Sequence, residues 1–242
     1  MRLDQASAGA GGFMAESTVT DAPRAIMRSS RAIRLGARPT DSQAIRLLDI
    51  AIAIGVLIFA LPLLIGIAIA IKLQDGGQMV FAHERLGRGG RPFKCLKFRS
   101  MVRDADAKLA EVLANDPVAR AEWARDHKLR RDPRITALGD FLRRSSLDEL
   151  PQLINVLRGE MSIVGPRPIV HAEISKYGRC FRHYCAVKPG ITGLWQVSGR
   201  NDVSYRRRVA MDRVYAQRKS FWLDVRLLFL TVPAVLFASG SY

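Results

Sequence analysis

With 242 residues and a net charge of +16, the chain has room for one main domain and a membrane element, and its basicity calls for an anionic partner: nucleic acid, lipid headgroups or a phosphorylated substrate. Three cysteines, Cys95, Cys180 and Cys185, are odd in number and lack CxxC spacing, which excludes a disulfide framework and reads as reduced thiols facing the cytosol. Four histidines, His83, His127, His171 and His183, have no metal-ligand spacing and read as ordinary surface or core residues.

Residues 1–42 are rich in Ala, Gly, Ser and Arg and have no sustained periodicity, the pattern of a disordered basic tail. No apolar stretch follows the first charges, so this is not a cleavable signal peptide. No internal repeat is visible.

Residues 43–72 contain the membrane element. Ile50 to Ile71 is an unbroken run of 22 uncharged residues, closed off by Asp49 and Lys72. About 20 helical residues span a bilayer's hydrocarbon core, and a soluble core helix rarely runs so long without a polar face. Pro62, near the middle of the run, removes a backbone hydrogen bond and kinks or breaks the helix. Arg24, Arg28, Arg31, Arg34, Arg38 and Arg46 precede the run, and Lys72, Arg85, Arg88, Arg91, Lys94, Lys97 and Arg99 follow it. Basic flanks favour the cytoplasm. A straight span cannot place both there, whereas a helix that breaks at Pro62 and returns to the same face can. Charge and proline leave both readings open. Either one favours lipid or a phosphorylated substrate over nucleic acid.

Beyond the run, Met79–Ala82 and Phe93–Phe98 are expected strands around a Gly87–Gly90 turn, whose spacing matches no nucleotide fingerprint. Helices are expected over Asp104–Asn115, Val118–Leu129, Leu138–Arg144, Ser146–Leu157 and Ser204–Arg218, with a turn at Asp132-Pro133-Arg134. Phe221–Phe237 is strongly apolar but holds Asp224, Arg226 and Pro233. It is short for a span and reads as a helix lying on the membrane surface.

The densest polar cluster runs from Arg143 to Leu153. It places adjacent carboxylates, Asp148 and Glu149, at an expected helix start just after Arg143 and Arg144. Positive surroundings keep a carboxylate ionised, and arginines hold phosphate oxygens bidentately. An oriented aspartate can attack phosphorus, while a neighbouring carboxylate can hold a divalent cation. Against this stands a plain structural reading. Ser146-x-x-Glu149 is a capping box, in which both acids merely start a helix. Gly165-Pro166-Arg167-Pro168 follows the strand-like Ser162-Ile163-Val164 and fixes one arginine between rigid residues. The stretch from Lys188 to Asn201 spaces polar groups and a Trp with glycine and proline, as a shaped loop or an array of turns would.

Together LKFRSM (96–101), DPRIT (132–136), SLDELPQLINVLRGEMSIVGPRP (146–168) and KPGITGLWQVSGRN (188–201) resemble the bacterial sugar transferase family, the monotopic phosphoglycosyl transferases that load a sugar phosphate onto a polyprenyl phosphate. The likeness covers roughly residues 44–242 and is nearest to small exopolysaccharide-initiating galactose-phosphate transferases, with Thr231-Val232-Pro233-Ala234 and Gly240-Ser241-Tyr242 among the shared features. It implies an α+β, mainly helical monotopic membrane protein with a re-entrant helix-break-helix, surface-lying amphipathic helices and a cytoplasmic catalytic domain over 73–242. It resolves the membrane ambiguity towards a helix broken at Pro62, although some members carry a serine where Leu61 stands.

Carried over by motif, the resemblance makes Asp148 the nucleophile and Glu149 its partner in a catalytic dyad that holds Mg2+. Arg167 becomes the arginine of the Pro-Arg-Pro motif, and Lys97 and Asp212 become further polar site residues. Arg143 reads as a phosphate clamp. On the residues alone, Asp212 is equally an exposed helix acid paired with Arg208, and Lys97 a surface strand residue. Asp224 reads as an interfacial acid beside Arg226. The implied reaction transfers a hexose 1-phosphate, galactose with glucose as the alternative, from a UDP-sugar to undecaprenyl phosphate, with release of UMP, through an aspartyl-phosphosugar intermediate. The implied setting is the cytoplasmic face of the bacterial inner membrane, among membrane lipids and without nucleic acid, and a homo-oligomer is compatible with it. The competing reading is a non-catalytic basic module at the membrane surface, which leaves two carboxylates in the most basic stretch unexplained.

Overall fold

A computed structural model describes residues 42–126, 129, 131–199 and 203–236. The expected tail lies outside the described residues apart from Ser42, as do Arg200, Asn201 and Gly240-Ser241-Tyr242 of the quoted motifs. The described chain is mainly helical with two small two-stranded sheets.

Helix α1, Gln43–Asp75, contains the whole apolar run and is long and apolar enough to cross a membrane. The Ser42 side chain caps its start by accepting from the Ile45 amide at 3.2 Å. Gly76, in the left-handed region at φ 70°, ends it. The expected break at Pro62 is not an interruption of the helix. Helix runs through the proline: Pro62 cannot donate its own backbone hydrogen bond, a loss that a long helix tolerates.

Burial along α1 is concentrated at its two ends. Ile45, Asp49 and Ala53 are buried at one end, and Ile67 and Ile71 at the other. Between them Ile54, Ile58, Leu61, Leu63 and Ile65 are exposed, and Phe59 is 90% exposed. Polar contacts fix both arms. Arg46 donates to the carbonyls of Val156 and Leu157 at 2.6 and 2.8 Å. Asp49 accepts from the Ser162 hydroxyl at 2.8 Å and the Ile163 amide at 2.8 Å. At the far end Asp75 is paired with Arg99. A buried carboxylate costs several kcal/mol unless it is hydrogen-bonded, so Asp49 is tolerable only because Ser162 and Ile163 meet it.

Strand β1, Val80–Leu86, pairs antiparallel with β2, Pro92–Phe98, across a tight turn at Arg88–Gly90 in which Gly89 and Gly90 take positive φ. β1 extends four residues beyond the expected strand, because antiparallel pairing with β2 carries it to Leu86↔Pro92. Helices α2, Ala105–Asn115, and α3, Pro117–Asp126, form a hairpin hinged on Asp116, whose carboxylate accepts from the Val118 and Ala119 amides. α4, Ala137–Arg144, is capped by the Thr136 hydroxyl.

The helix expected over Ser146–Leu157 is two elements instead: a single 3-10 turn at Leu147–Glu149, then α5 at Gln152–Leu157. Pro151 separates them, since it cannot donate into a continuous helix. β3, Ser162–Val164, runs parallel to β4, Gly190–Thr192. Between them lie α6, Ile174–Tyr177, and α7, Phe181–Ala186, which apolar periodicity did not reveal because each is one or two turns long. α8, Leu194–Val197, α9, Tyr205–Arg218, and α10, Phe221–Leu236, complete the fold.

The main core gathers Ala53 of α1, Phe93 and Cys95 of β2, Leu153 and Val156 of α5, Ile163 and Val164 of β3, and Leu227 of α10. A fully buried aliphatic or aromatic side chain contributes about 1.5–3 kcal/mol, so α1 and α10 are integral to the core. α10 leaves an apolar outer face, with Trp222 76% exposed beside Phe229, Leu230 and Val232.

Candidate active site

The capping-box reading of Ser146 fails. Ser146 lies in the left-handed region at φ 58°, ψ 15° and makes no side-chain cap. It is the one non-glycine with positive φ among the described residues, a conformation that costs an L-residue about 1–2 kcal/mol. The reversal throws the chain into the 3-10 turn that carries both acids. Their side chains meet one ammonium: Lys97 Nζ of β2 is 2.6 Å from Glu149 Oε1 and 3.5 Å from Asp148 Oδ2. Lys97 is therefore not a free surface residue, and the acids are not helix caps.

Arg167 lies 3.7 Å from the same Glu149 oxygen. Arg85 of β1 lines the same small cleft with Lys97, Glu149, Gln152 and Arg167, and donates to the Pro168 carbonyl at 3.3 Å. Sequence reading missed Arg85. The available signal was strand alternation: hairpin pairing puts residues 81, 83 and 85 on the face that carries Lys97. Arg143 stands at the end of α4 and donates to the Ser100 hydroxyl at 2.8 Å. It faces Asp148 electrostatically but is not part of the lysine-bridged pair.

The two acids are electrostatically distinct. Asp148 is 7% exposed. Burial, with the neighbouring Glu149 charge, pushes its carboxyl above the ordinary range, and Lys97 and Arg143 offset only part of that. Burial also pushes Glu149 up, but Lys97, Arg167 and Arg85 together outweigh it and hold the group below the ordinary range. Glu149 is thus the more neutralised acid. Asp148 is the more basic one and, once ionised, the better nucleophile.

Behind the cleft, backbones approach closely. A Cβ on Gly190 would strike the backbone of Gly165, and one on Gly193 would strike the Gly165 carbonyl. The 190–193 part of the Lys188–Asn201 motif therefore packs directly against the Pro-Arg-Pro segment, with the Gly190 amide donating to the Pro166 carbonyl at 2.8 Å. Of the shaped-loop and turn-array readings, neither describes it: β4 and α8 form there.

Asp212 belongs to another network. It is buried and accepts from the Tyr177 hydroxyl at 2.6 Å, so it is not an exposed partner of Arg208. Burial raises its carboxyl to about 7. Asp224 is buried as well. Its carboxylate lies 2.8 Å from the Tyr215 hydroxyl and 3.8 Å from Lys219 Nζ, which corrects the reading of an interfacial acid beside Arg226.

Among the described residues no group of three His, Cys, Asp or Glu converges as a complete metal cage. Asp148 and Glu149 are adjacent hard oxygen donors. That set fits a magnesium ion, which takes one or two carboxylates and completes its shell with water and substrate phosphates.

The family model for bacterial sugar transferases matches residues 40–238. The chain is 54% identical over 197 residues to a UDP-galactose-lipid carrier transferase of Erwinia amylovora, covering 81% of this chain and 41% of that one. It is 52% identical, with the same two coverages, to an undecaprenyl-phosphate galactose phosphotransferase of Salmonella typhimurium, so it spans about two-fifths of the length of these relatives. Against the exopolysaccharide production protein ExoY of Sinorhizobium fredii it is 48% identical over 205 residues, covering 85% of this chain and 91% of that one. With the match to the family model extending over most of its length, the chain belongs to the bacterial sugar transferase family.

Proposed function

We propose that this protein transfers a hexose 1-phosphate from a UDP-sugar to undecaprenyl phosphate, at the cytoplasmic face of the inner membrane, as the first step of exopolysaccharide synthesis. The observation that carries the reading is the lysine-bridged pair, Asp148 and Glu149, set among Arg85, Arg143 and Arg167. Galactose is the proposed sugar, because relatives at 52–54% identity are named for galactose transfer.

In the proposed reaction an Asp148 oxygen attacks the sugar-bearing phosphorus. The bond from that phosphorus to the bridging oxygen breaks, and UMP leaves with the bridging oxygen. A phosphate oxygen of the lipid then attacks the same phosphorus and returns the Asp148 carboxylate. Splitting the transfer keeps donor and lipid phosphates from crowding one site with like charge. Arg167 and Arg85 hold the phosphate oxygens, with Arg143 on the Asp148 side. Glu149, already neutralised by Lys97 and Arg167, is the poorer nucleophile and the residue that would hold magnesium, whose contribution is to neutralise the donor diphosphate. Asp212 acts through Tyr177 as a support rather than on the substrate.

The membrane arrangement is part of the proposal. Both ends of α1 pack on the same domain while its middle is exposed. This favours a re-entrant helix bent at Pro62 over a straight span, whose far end would sit across the bilayer from the domain. The apolar outer face of α10 would lie in the same interface.

The test is intact-protein mass spectrometry after rapid quenching with UDP-galactose and Mg2+ but no lipid. One hexose phosphate on the Asp148 peptide is expected. Product formation only when donor and lipid are present together, with no modified enzyme, would point to direct transfer and overturn the mechanism.

A further inference from the structure

One face of the β1–β2 hairpin is only partly used by the site. Phe81 stands opposite Lys97, His83 opposite Cys95 and Arg85 opposite Phe93. Directly opposed residues share a face, with Cβ atoms about 5 Å apart. The β2 half of that face is covered, since Phe93 and Cys95 are buried in the main core. The β1 half is open. Phe81 is 52% exposed and His83 is exposed too. Their rings lie 5.9 Å apart and 20° from parallel. At that spacing the two rings form an offset stack, and a further planar group can continue it on an exposed outer ring face.

We propose that Phe81 and His83 are a stacking platform for the planar base of the nucleoside diphosphate donor, whose phosphates lie over Lys97 and Arg85; this rests on the function proposed above. Two features select a nucleotide over a hydrocarbon tail. The platform begins one cross-strand step from the lysine that bridges the dyad. It is also flanked by two cations, which attract a phosphorylated base and offer nothing to an alkyl chain. The partial cover that the strand pair gives the ring, then Arg85 and Lys97, lowers the His83 imidazole below its ordinary value, so the ring is neutral near pH 7 and presents an uncharged π face. Base–aromatic stacking tolerates any base and needs no hydrogen-bond readout, so the platform adds affinity, while the sugar is chosen elsewhere.

The experiment is UMP binding to the full chain in detergent, measured by titration calorimetry, alongside steady-state kinetics. Phe81→Ala is expected to weaken UMP binding and raise the donor KM together by about tenfold, with kcat within about twofold. Inhibition by inorganic diphosphate, which has no base, should be unchanged. Phe81→Tyr should restore UMP affinity, and His83→Ala should show a smaller loss of the same kind. UMP affinity unchanged in Phe81→Ala overturns the platform, as does a rise confined to the KM for polyprenyl phosphate, which would make Phe81 a lipid contact. A wild-type protein that binds UMP in this Phe81-dependent way but releases none from UDP-galactose would overturn the proposed function and leave the platform standing.

Discussion

Lys97 Nζ sits 2.6 Å from Glu149 and 3.5 Å from Asp148, so one ammonium is shared unequally between neighbouring acids. It holds two like charges together, and it leaves Asp148 the less neutralised of the two. Lys97→Met keeps the stem and removes the charge. Turnover is expected to fall about 10²-fold. The acid limb of the pH–rate profile should also move to higher pH, since Lys97 opposes the upward push of burial on Asp148. A loss of rate with the limb unmoved would mean that the lysine acts on substrate alone.

Asp148→Asn is expected to abolish UMP release while membrane insertion and thermal midpoint stay near wild type. The amide preserves the shape of the side chain and gives up chiefly its charge, and with it the attraction to Lys97. Near-normal turnover, measured by UMP release, would remove Asp148 from the nucleophile's place.

Ser146 offers a stability test of the turn. Ser146→Gly relieves the positive φ and should give a thermal midpoint equal to or above wild type with activity retained. Ser146→Val puts a β-branched side chain in the same conformation and should cost about 1–2 kcal/mol. A reversed order in thermal denaturation would show that φ does not set the cost at this position.

Asp212 gives a pH signature. Its folded value, about 7, lies above that of an unfolded aspartate, about 3.9, so the folded state binds the extra proton. Stability from this group is complete below pH ~4 and is lost as pH rises towards 7. Asp212→Asn, which still accepts from Tyr177, should flatten that decline and melt higher than wild type at pH 8. Parallel melting curves for the two proteins from pH 5 to 8 would contradict the burial argument.

Much of the site was legible because its residues sit in contiguous motifs: Asp148 with Glu149, Arg167 between prolines, and Lys97 in LKFRSM. The Ser146 conformation was not, since Ser-x-x-Glu is the same string whether it caps a helix or precedes a reversal, and only Pro151 hinted that the helix could not run through. Arg85 was missed because its place depends on hairpin register. The pairs Asp49–Ser162 and Asp224–Lys219 were missed for different reasons. The first joins residues 113 positions apart, beyond any local pattern. The second is local, but whether it is buried depends on how α10 meets the core.

The clamping of α1 at both ends has a practical corollary. An anchor can be cut away and leave a soluble enzyme behind; α1 cannot. A fragment starting after Asp75 would lose Ala53 from the main core and Ile67 and Ile71 from the cluster around Phe98 and Leu142. It would strand the Ser162 hydroxyl and Ile163 amide without Asp49, and leave the last carbonyls of α5 without Arg46. Those losses reach the strand that carries Lys97 and the helix that follows the dyad, and also β3, which leads into the Pro-Arg-Pro segment. Expression of the catalytic domain alone should therefore yield aggregate rather than a water-soluble transferase, and detergents or nanodiscs that preserve α1 are the setting in which this protein can be assayed.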